Sequence, residues 1–251
     1  MRIIERVDEA WRRISFLLMP GCCVLCGAAS DLPQDLCGPC RADLPWNRSC
    51  CARCALPLPI AAPRCGRCLA SPPAFDGAHC AFRYAWPLDG LVTRFKFGAD
   101  LAAGRMLAAL LAEDLARRRS GATLPAVDLV LPVPLHEERL RERGFNQALE
   151  LAVPLARALG IPLAARAMQR LRPTPKQSGL TALRRRRNVR GAFHVLADVG
   201  GRHIALVDDV ITTAATAQEC TRALILAGAA SVQAWAIARA PLPGSRARDV
   251  G

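Results

Sequence analysis

Lysine is almost missing from this 251-residue chain, in which only Lys96 and Lys176 occur. Arginine therefore carries nearly all of the formal net charge of +13. A surplus of that size points to acidic partners, either nucleic acid or phosphorylated small molecules. The Ala-, Leu- and Arg-heavy usage of a GC-rich genome would produce the same surplus. A long N-terminal apolar run is missing too. Glu5, Asp8, Glu9, Arg12 and Arg13 interrupt residues 1–20, and the apolar run at 16–19 is too short for a secretory leader or a membrane span. Ile3, Ile4, Val7, Trp11, Ile14 and Leu18 recur at helical spacing instead, so residues 1–20 are expected to form an amphipathic helix. No membrane insertion and a cytoplasmic location are expected. In a reducing compartment the twelve cysteines argue for metal or redox chemistry over disulfides.

The cysteines are ordered. Cys23, Cys26, Cys37 and Cys40 form C-x2-C-x10-C-x2-C, and Cys51, Cys54, Cys65 and Cys68 repeat it with every residue displaced by 28 positions. Cys22 and Cys50 obey the same offset, which marks an internal duplication. A C-x2-C knuckle converges two thiolates on one ion, and two knuckles complete a tetrahedral site. Gly27, Gly38 and Gly66 are expected to supply the positive φ of the tight turns. Segments 28–36 and 55–64 are too short and Pro-rich to build a core, so a metal has to supply the stability, and a structural zinc contributes about 10 to 16 kcal/mol apparent. Disulfides and an iron–sulfur cluster are the competing readings of the same cysteines. Spacing leaves open whether each quartet closes on itself or the pairs interleave. Cys22, Cys50, Cys80 and Cys220 lack a C-x2-C partner and are expected to be small buried apolar residues.

The second half changes character. VDLVLPVP at residues 127–134 is apolar and β-branched until its prolines, as a buried parallel strand would be. A helix is expected over about 146–159, stopped by Gly160 and kinked at Pro154. Ile204 begins a short strand that ends in Asp208 and Asp209. A loop with Thr212, Thr213 and Thr216 follows, then a helix to Gly228 and a strand over 231–238. That order is βαβ, with ligands expected at the C-terminal strand ends. Hydroxyls, loop N–H groups and a helix N-terminus suit a phosphate dianion there. Two carboxylates suit paired ribose hydroxyls and positive charge developing at a sugar carbon. Segments over 1–20, 21–70, 71–125, 126–240 and 241–251 then read as helix, double ribbon, linking or hood segment, α/β domain and tail.

VDDVITTAAT at residues 207–216 resembles the phosphoribosyl-pyrophosphate motif of type I phosphoribosyltransferases. LPVP at 131–134, RERGFNQ at 141–147, KQSGL at 176–180 and RNVRGAF at 187–193 resemble the ComF family of competence proteins, whose double zinc ribbon the cysteine module matches. The resemblance implies an α/β fold of the type I phosphoribosyltransferase kind, a parallel sheet flanked by helices behind a small four-cysteine zinc module. It implies two structural zinc ions, and magnesium with phosphoribosyl pyrophosphate. Asp208 and Asp209 would hold the ribose as the catalytic pair. Val210, Ile211, Thr212, Thr213, Ala214, Ala215 and Thr216 would cradle the 5′-phosphate, and the loop at Val133 and Pro134 would face pyrophosphate. Ala214 departs from the motif, which usually has Gly there, and at a positive φ it would cost about 1 to 2 kcal/mol.

Two functional classes follow from these residues. One is a phosphoribosyltransferase, for which no reader of an acceptor base is identifiable in the sequence. The other is an accessory of natural transformation that binds single-stranded DNA and DNA-uptake proteins, with a vestigial ribose-phosphate site. Residues 170–190 read as a loop over the site, and the arginines at 184–187 fit a solvated face, pyrophosphate or nucleic acid alike. Phe95, Lys96 and Phe97 suit either base stacking or a cap on the ribose site.

Overall fold

A computed structural model describes residues 21–30, 35–121, 124–172 and 189–241. The expected helix 1–20, the KQSGL stretch, the arginine run 184–187 and the tail past 241 lie outside the described residues. The chain divides into two compact units, Met1–Leu44 and Pro45–Gly251, so the boundary falls between the two cysteine repeats.

The duplication is visible in the backbone. In the first repeat Cys23 N donates to Ala28 O at 2.7 Å and Gly27 N to Cys23 O at 2.8 Å, and a short helix α1 covers Gly38–Ala42. In the second, Cys51 N donates to Leu56 O at 2.9 Å and Ala55 N to Cys51 O at 2.8 Å, and helix α2 covers Gly66–Ala70. Gly27 has φ 75° as expected, but Gly38 and Gly66 open helices and need no positive φ. The left-handed residue of the second knuckle is Ala55, with φ 55°. Cys80 and Cys220 are buried as expected, whereas Cys22 is exposed and Cys50 only half-buried.

The second unit is built on a parallel sheet. Its strands are β1 (Gly77–Arg83), β2 (Leu129–Pro132), β5 (His203–Ile211) and β6 (Ser231–Arg239), in spatial order β1-β6-β5-β2. Every pair is parallel, with Leu131 opposite Leu206, Val207 opposite Trp235 and Ala78 opposite Ala234. Val232, Ala234, Trp235, Ala236, Ile237 and Ala238 in β6 are all buried, as are Ile204, Ala205, Leu206 and Val207 in β5, so the central strands are covered on both faces. A separate hairpin pairs β3 (Met168–Arg170) with β4 (Phe193–Val195).

Residues 71–125 are no mere link. They supply β1 and the helices α3 (Leu88–Gly98) and α4 (Leu101–Ser120). Asp76 fixes the register by accepting from Val232 N at 2.9 Å and donating its own N–H to Val232 O at 2.8 Å. Asp100 caps α4 by accepting from Ala103 N, and the helix buries Met106, Leu107, Leu110, Leu111 and Leu115. Gly104 is required there, because a methyl group would collide with the Phe95 ring. Asp114 of α4 lies 2.9 Å from His79 of β1, both buried. Burial alone would raise the Asp114 carboxyl, but His79 and the guanidinium groups of Arg118 and Arg117 hold it down to about 2.

Two further helices, α5 (Glu137–Arg143) and α6 (Gln147–Leu159), follow β2, and α7 (Ala215–Leu226) joins β5 to β6. Helix α6 runs on through Pro154 and stops at Gly160, φ 64°. Among the described residues no helix is long and apolar enough to cross a membrane.

Candidate functional site

Each cysteine quartet closes on itself. The Sγ atoms of Cys23, Cys26, Cys37 and Cys40 lie within 4.8 Å of one another, and so do those of Cys51, Cys54, Cys65 and Cys68. Sγ–Sγ separations of 3.7 Å for Cys26–Cys37, 3.8 Å for Cys54–Cys65 and 3.9 Å for Cys51–Cys68 fit the chemistry. A tetrahedron with Zn–S bonds of about 2.3 Å has edges of about 3.8 Å. The chain therefore has two four-cysteine zinc-binding sites, sequential rather than interleaved. Their surroundings differ. In the second, all four cysteines are buried and join the apolar core of the sheet, whereas in the first Cys26 is exposed and Cys40 half-buried.

At the C-terminal ends of β2 and β5 lies a cleft of about 580 Å³. Val133, all residues from Asp208 to Thr216 and the start of α7 line it, so the phosphoribosyl-type loop and the LPVP turn meet as the strand order requires. Pro134 follows directly on Val133 and is half-buried, at the cleft's edge. Asp208 Oδ1 accepts from Asp209 N at 2.9 Å. Asp209 Oδ1 in turn accepts from Val210 N at 2.6 Å. Burial, then the neighbouring Asp209 charge, pushes the Asp208 carboxyl up to about 7.

Several residues singled out in the sequence take a defined role only in the fold. Lys96 Nζ lies 2.6 Å from Asp209 Oδ2, an ion pair joining the end of α3 to the end of β5. This separates the Phe-Lys-Phe patch into roles. Phe95 is fully buried against Phe145, Lys96 caps the acid pair, and Phe97 is 71% exposed at the rim with the Arg143 guanidinium 5.2 Å over its ring. RERGFNQ is explained in the same way. Gly144 ends α5 at φ 77°, and Asn146 both caps α6 by accepting from Ala148 N and donates to Val133 O at 3.1 Å. Gln147 donates to Lys96 O at 3.3 Å. Arg139, Arg143 and Arg170 add positive charge to the cleft wall.

The N-terminus of α7 opens into this cleft. Its capping position is Ala214, at φ 62°, and no side chain caps the helix. Thr213 Oγ1 reaches Ala215 N only at 3.4 Å, so the first-turn N–H groups face the cleft with their dipole. The left-handed φ at Ala214 is the strain that its departure from Gly implies. Ala214→Gly is expected to raise the stability by about 1 kcal/mol, read as a higher midpoint in chemical denaturation. An unchanged or lower midpoint would mean that the loop holds Ala214 without strain.

Comparisons with known proteins bear on the cysteine module and on the family of the whole chain. Residues 14–69 match the family model described as the double zinc ribbon domain. The DNA utilization protein YhgH of Escherichia coli O157:H7 is 37% identical over 226 residues, covering 89% of this chain and 99% of that protein. Competence protein F of Haemophilus influenzae is 38% identical over 177 residues, 68% of this chain and 76% of that one. Among solved structures, a purine phosphoribosyltransferase from Pyrococcus horikoshii overlaps with a TM-score of 0.32 at 16% identity, covering 56% of this chain and 87% of that one, too loosely to build on. A relative of 37% identity over 89% of the chain and another of 38% over 68% of it, together with this chain's own two cysteine quartets and acid–threonine loop, establish that this chain belongs to the ComF family of competence proteins.

Proposed function

We propose that the cleft binds phosphoribosyl pyrophosphate together with magnesium, and that the protein serves DNA uptake and use, as the names of its relatives suggest. One observation carries the reading: Asp208 and Asp209 lie near the C-terminal end of the central strand β5, in one cleft of about 580 Å³ with an uncapped helix N-terminus. The carboxylates accept from the 2- and 3-hydroxyls of the ribose. The N–H groups and hydroxyls of residues 212–216 solvate the 5′-phosphate, and Lys96, Arg139 and Arg143 balance the pyrophosphate charge. Magnesium would be held by pyrophosphate oxygens and Asp208, and would neutralise charge on the leaving group. Asp209 exchanges its Lys96 partner for ribose hydroxyls, which releases Lys96 towards the ligand.

The test is calorimetric titration with phosphoribosyl pyrophosphate and magnesium in two buffers of unlike ionisation heat. Asp208 near 7 is part-protonated at neutral pH, and hydroxyl donors with a cation favour its ionised form. Saturable binding with proton release near pH 7 is expected, and the release should vanish in Asp208→Asn. Absence of saturable binding would reject the ligand.

A second reading rests on the rim. Phe97 is 71% exposed with the Arg143 guanidinium 5.2 Å over its ring and Arg139 in the same cleft wall, an arrangement suited to stacking single-stranded bases over a basic floor. Single-stranded DNA should bind with an affinity that falls steeply as salt rises, and Phe97→Ala should weaken it by about 1 to 3 kcal/mol. Salt-independent affinity, or no effect of the substitution, would argue against this reading.

A further inference from the structure

Arg239 is the last residue of β6 and only 2% exposed. Its Nε donates to Cys54 O at 3.0 Å, and Nη1 donates to Ile211 O at 2.9 Å, to Ala240 O at 2.9 Å and to Thr212 O. One side chain thus clamps the first knuckle of the second zinc site to the mouth of the ligand loop. The knuckle end of the clamp is itself fixed. Ala55 N donates to Cys51 O, and Asn47 Nδ2 donates to Ala55 O at 2.8 Å from a side chain anchored on β1 through Asn47 N to Ala81 O. At the other end, the Ile211 and Thr212 carbonyls set the path of the backbone into Thr213 and Ala214, and hence the aim of the N–H groups there. Among the described residues no carboxylate pairs with Arg239, so the carbonyls solvate its charge. Taking those carbonyls away would leave a buried cation without partners, which is costly.

We propose that Arg239 is a positioning residue that couples zinc at Cys51, Cys54, Cys65 and Cys68 to the order of the loop at 212–216. Metal at the second site holds the Cys54 carbonyl on the guanidinium, and the guanidinium holds the loop. Loss of that metal frees the knuckle and loosens the loop. By linkage, an anion that orders the loop tightens the hold of the second site on its metal by the same factor. Lysine cannot replace the clamp, because a single ammonium does not present the planar fork that spans a zinc knuckle and a strand end. The last arm of the test rests on the ligand reading above, and the others do not.

The experiment uses the full zinc-loaded chain. Zinc is drawn off with a chelator, released thiols are alkylated, and mass spectrometry assigns them to either quartet while amide exchange is followed at residues 212–216. Loss of zinc from the second quartet is expected to speed exchange in the loop by about tenfold, the loss of roughly one charge-assisted hydrogen bond. Loss from the first quartet leaves the loop unchanged. Arg239→Met should speed the loop with zinc still bound, and should speed alkylation of Cys51, Cys54, Cys65 and Cys68 while sparing Cys23, Cys26, Cys37 and Cys40. Arg239→Lys retains the charge and should behave like Arg239→Met, which covers the case in which the methionine variant does not fold. Loop exchange indifferent to second-site zinc would overturn the proposal, as would equal acceleration of both quartets. In the last arm phosphoribosyl pyrophosphate with magnesium slows second-site zinc loss in the parent protein and not in Arg239→Lys. A parent protein that fails to bind this ligand sinks the proposed function, while the exchange and alkylation results still decide the coupling.

Discussion

Asp208→Asn combined with Asp209→Asn is expected to weaken binding of phosphoribosyl pyrophosphate by about a hundredfold or more, because two charge-assisted hydrogen bonds to ribose hydroxyls each contribute roughly 1.5 to 3 kcal/mol. The same substitution at 208 alone should make the empty protein more stable. The Asp208 carboxyl rises from an ordinary 3.8 to about 7 on folding, so the folded state holds its proton more tightly than the unfolded chain. The favourable contribution is fully present below pH 3.8 and is lost as pH rises towards 7. A midpoint difference between Asp208→Asn and the parent protein should therefore open between pH 4 and pH 7 and stay level above that. Lys96→Met bears on the same pair. Removing the cation that lowers Asp208 should push its titration higher still and shift the pH dependence of ligand binding upward. Ligand affinity unchanged by the double substitution would show that the carboxylates do not face the ribose.

Cys54→Ser should lower the unfolding midpoint of the sheet by about 10 °C, and Cys26→Ser should leave it nearly unchanged. A structural four-thiolate zinc site contributes to folding outright. What differs is where that contribution goes. The second quartet shares its core with Phe75, Leu131, Leu206 and Ala236, so breaking it strips a wall from the sheet. The first belongs to a separate compact unit that ends at Leu44, with one cysteine exposed and one half-buried. A loss of roughly 3 to 4 kcal/mol corresponds to that shift for a unit of this size. Differential scanning calorimetry of both variants reads it. Equal shifts would mean that the two ribbons share one cooperative unit.

What could be read from the sequence was what is encoded locally. VDLVLPVP and the run ending in Asp208 became β2 and β5 because apolar β-branched residues buried on both faces leave no alternation to misread. The helix stop at Gly160 and the acid–threonine loop were likewise contiguous signals. β1 was not legible. Its partner lies more than 150 positions away, with Ala78 opposite Ala234, and GAHCAFR mixes a buried His79 and Cys80 into a strand that nothing nearby announces. Lys96 stood out with its flanking phenylalanines, but its pairing with Asp209 did not, since the two lie more than 100 positions apart and only the fold brings them together. Gly38 and Gly66 misled because a glycine after a cysteine suits a left-handed turn and a helix start equally well, and the neighbouring hydrogen bonds decide between them.

The two cysteine repeats carry the same hydrogen bonds at an offset of 28 residues, yet the second is part of the α/β core while the first belongs to a separate compact unit. A copy whose knuckle carbonyl and four sulfurs are all committed to the interior has little room to change sequence without unsettling the sheet. The other answers mainly to its metal. Gene duplication therefore left this protein with one fixed hinge-post and one adaptable cassette, and differences between relatives in what the N-terminal end contacts should accumulate in residues 24–36 rather than in residues 52–64. Swapping the first cassette between relatives is the natural way to retarget the molecule while leaving its cleft untouched.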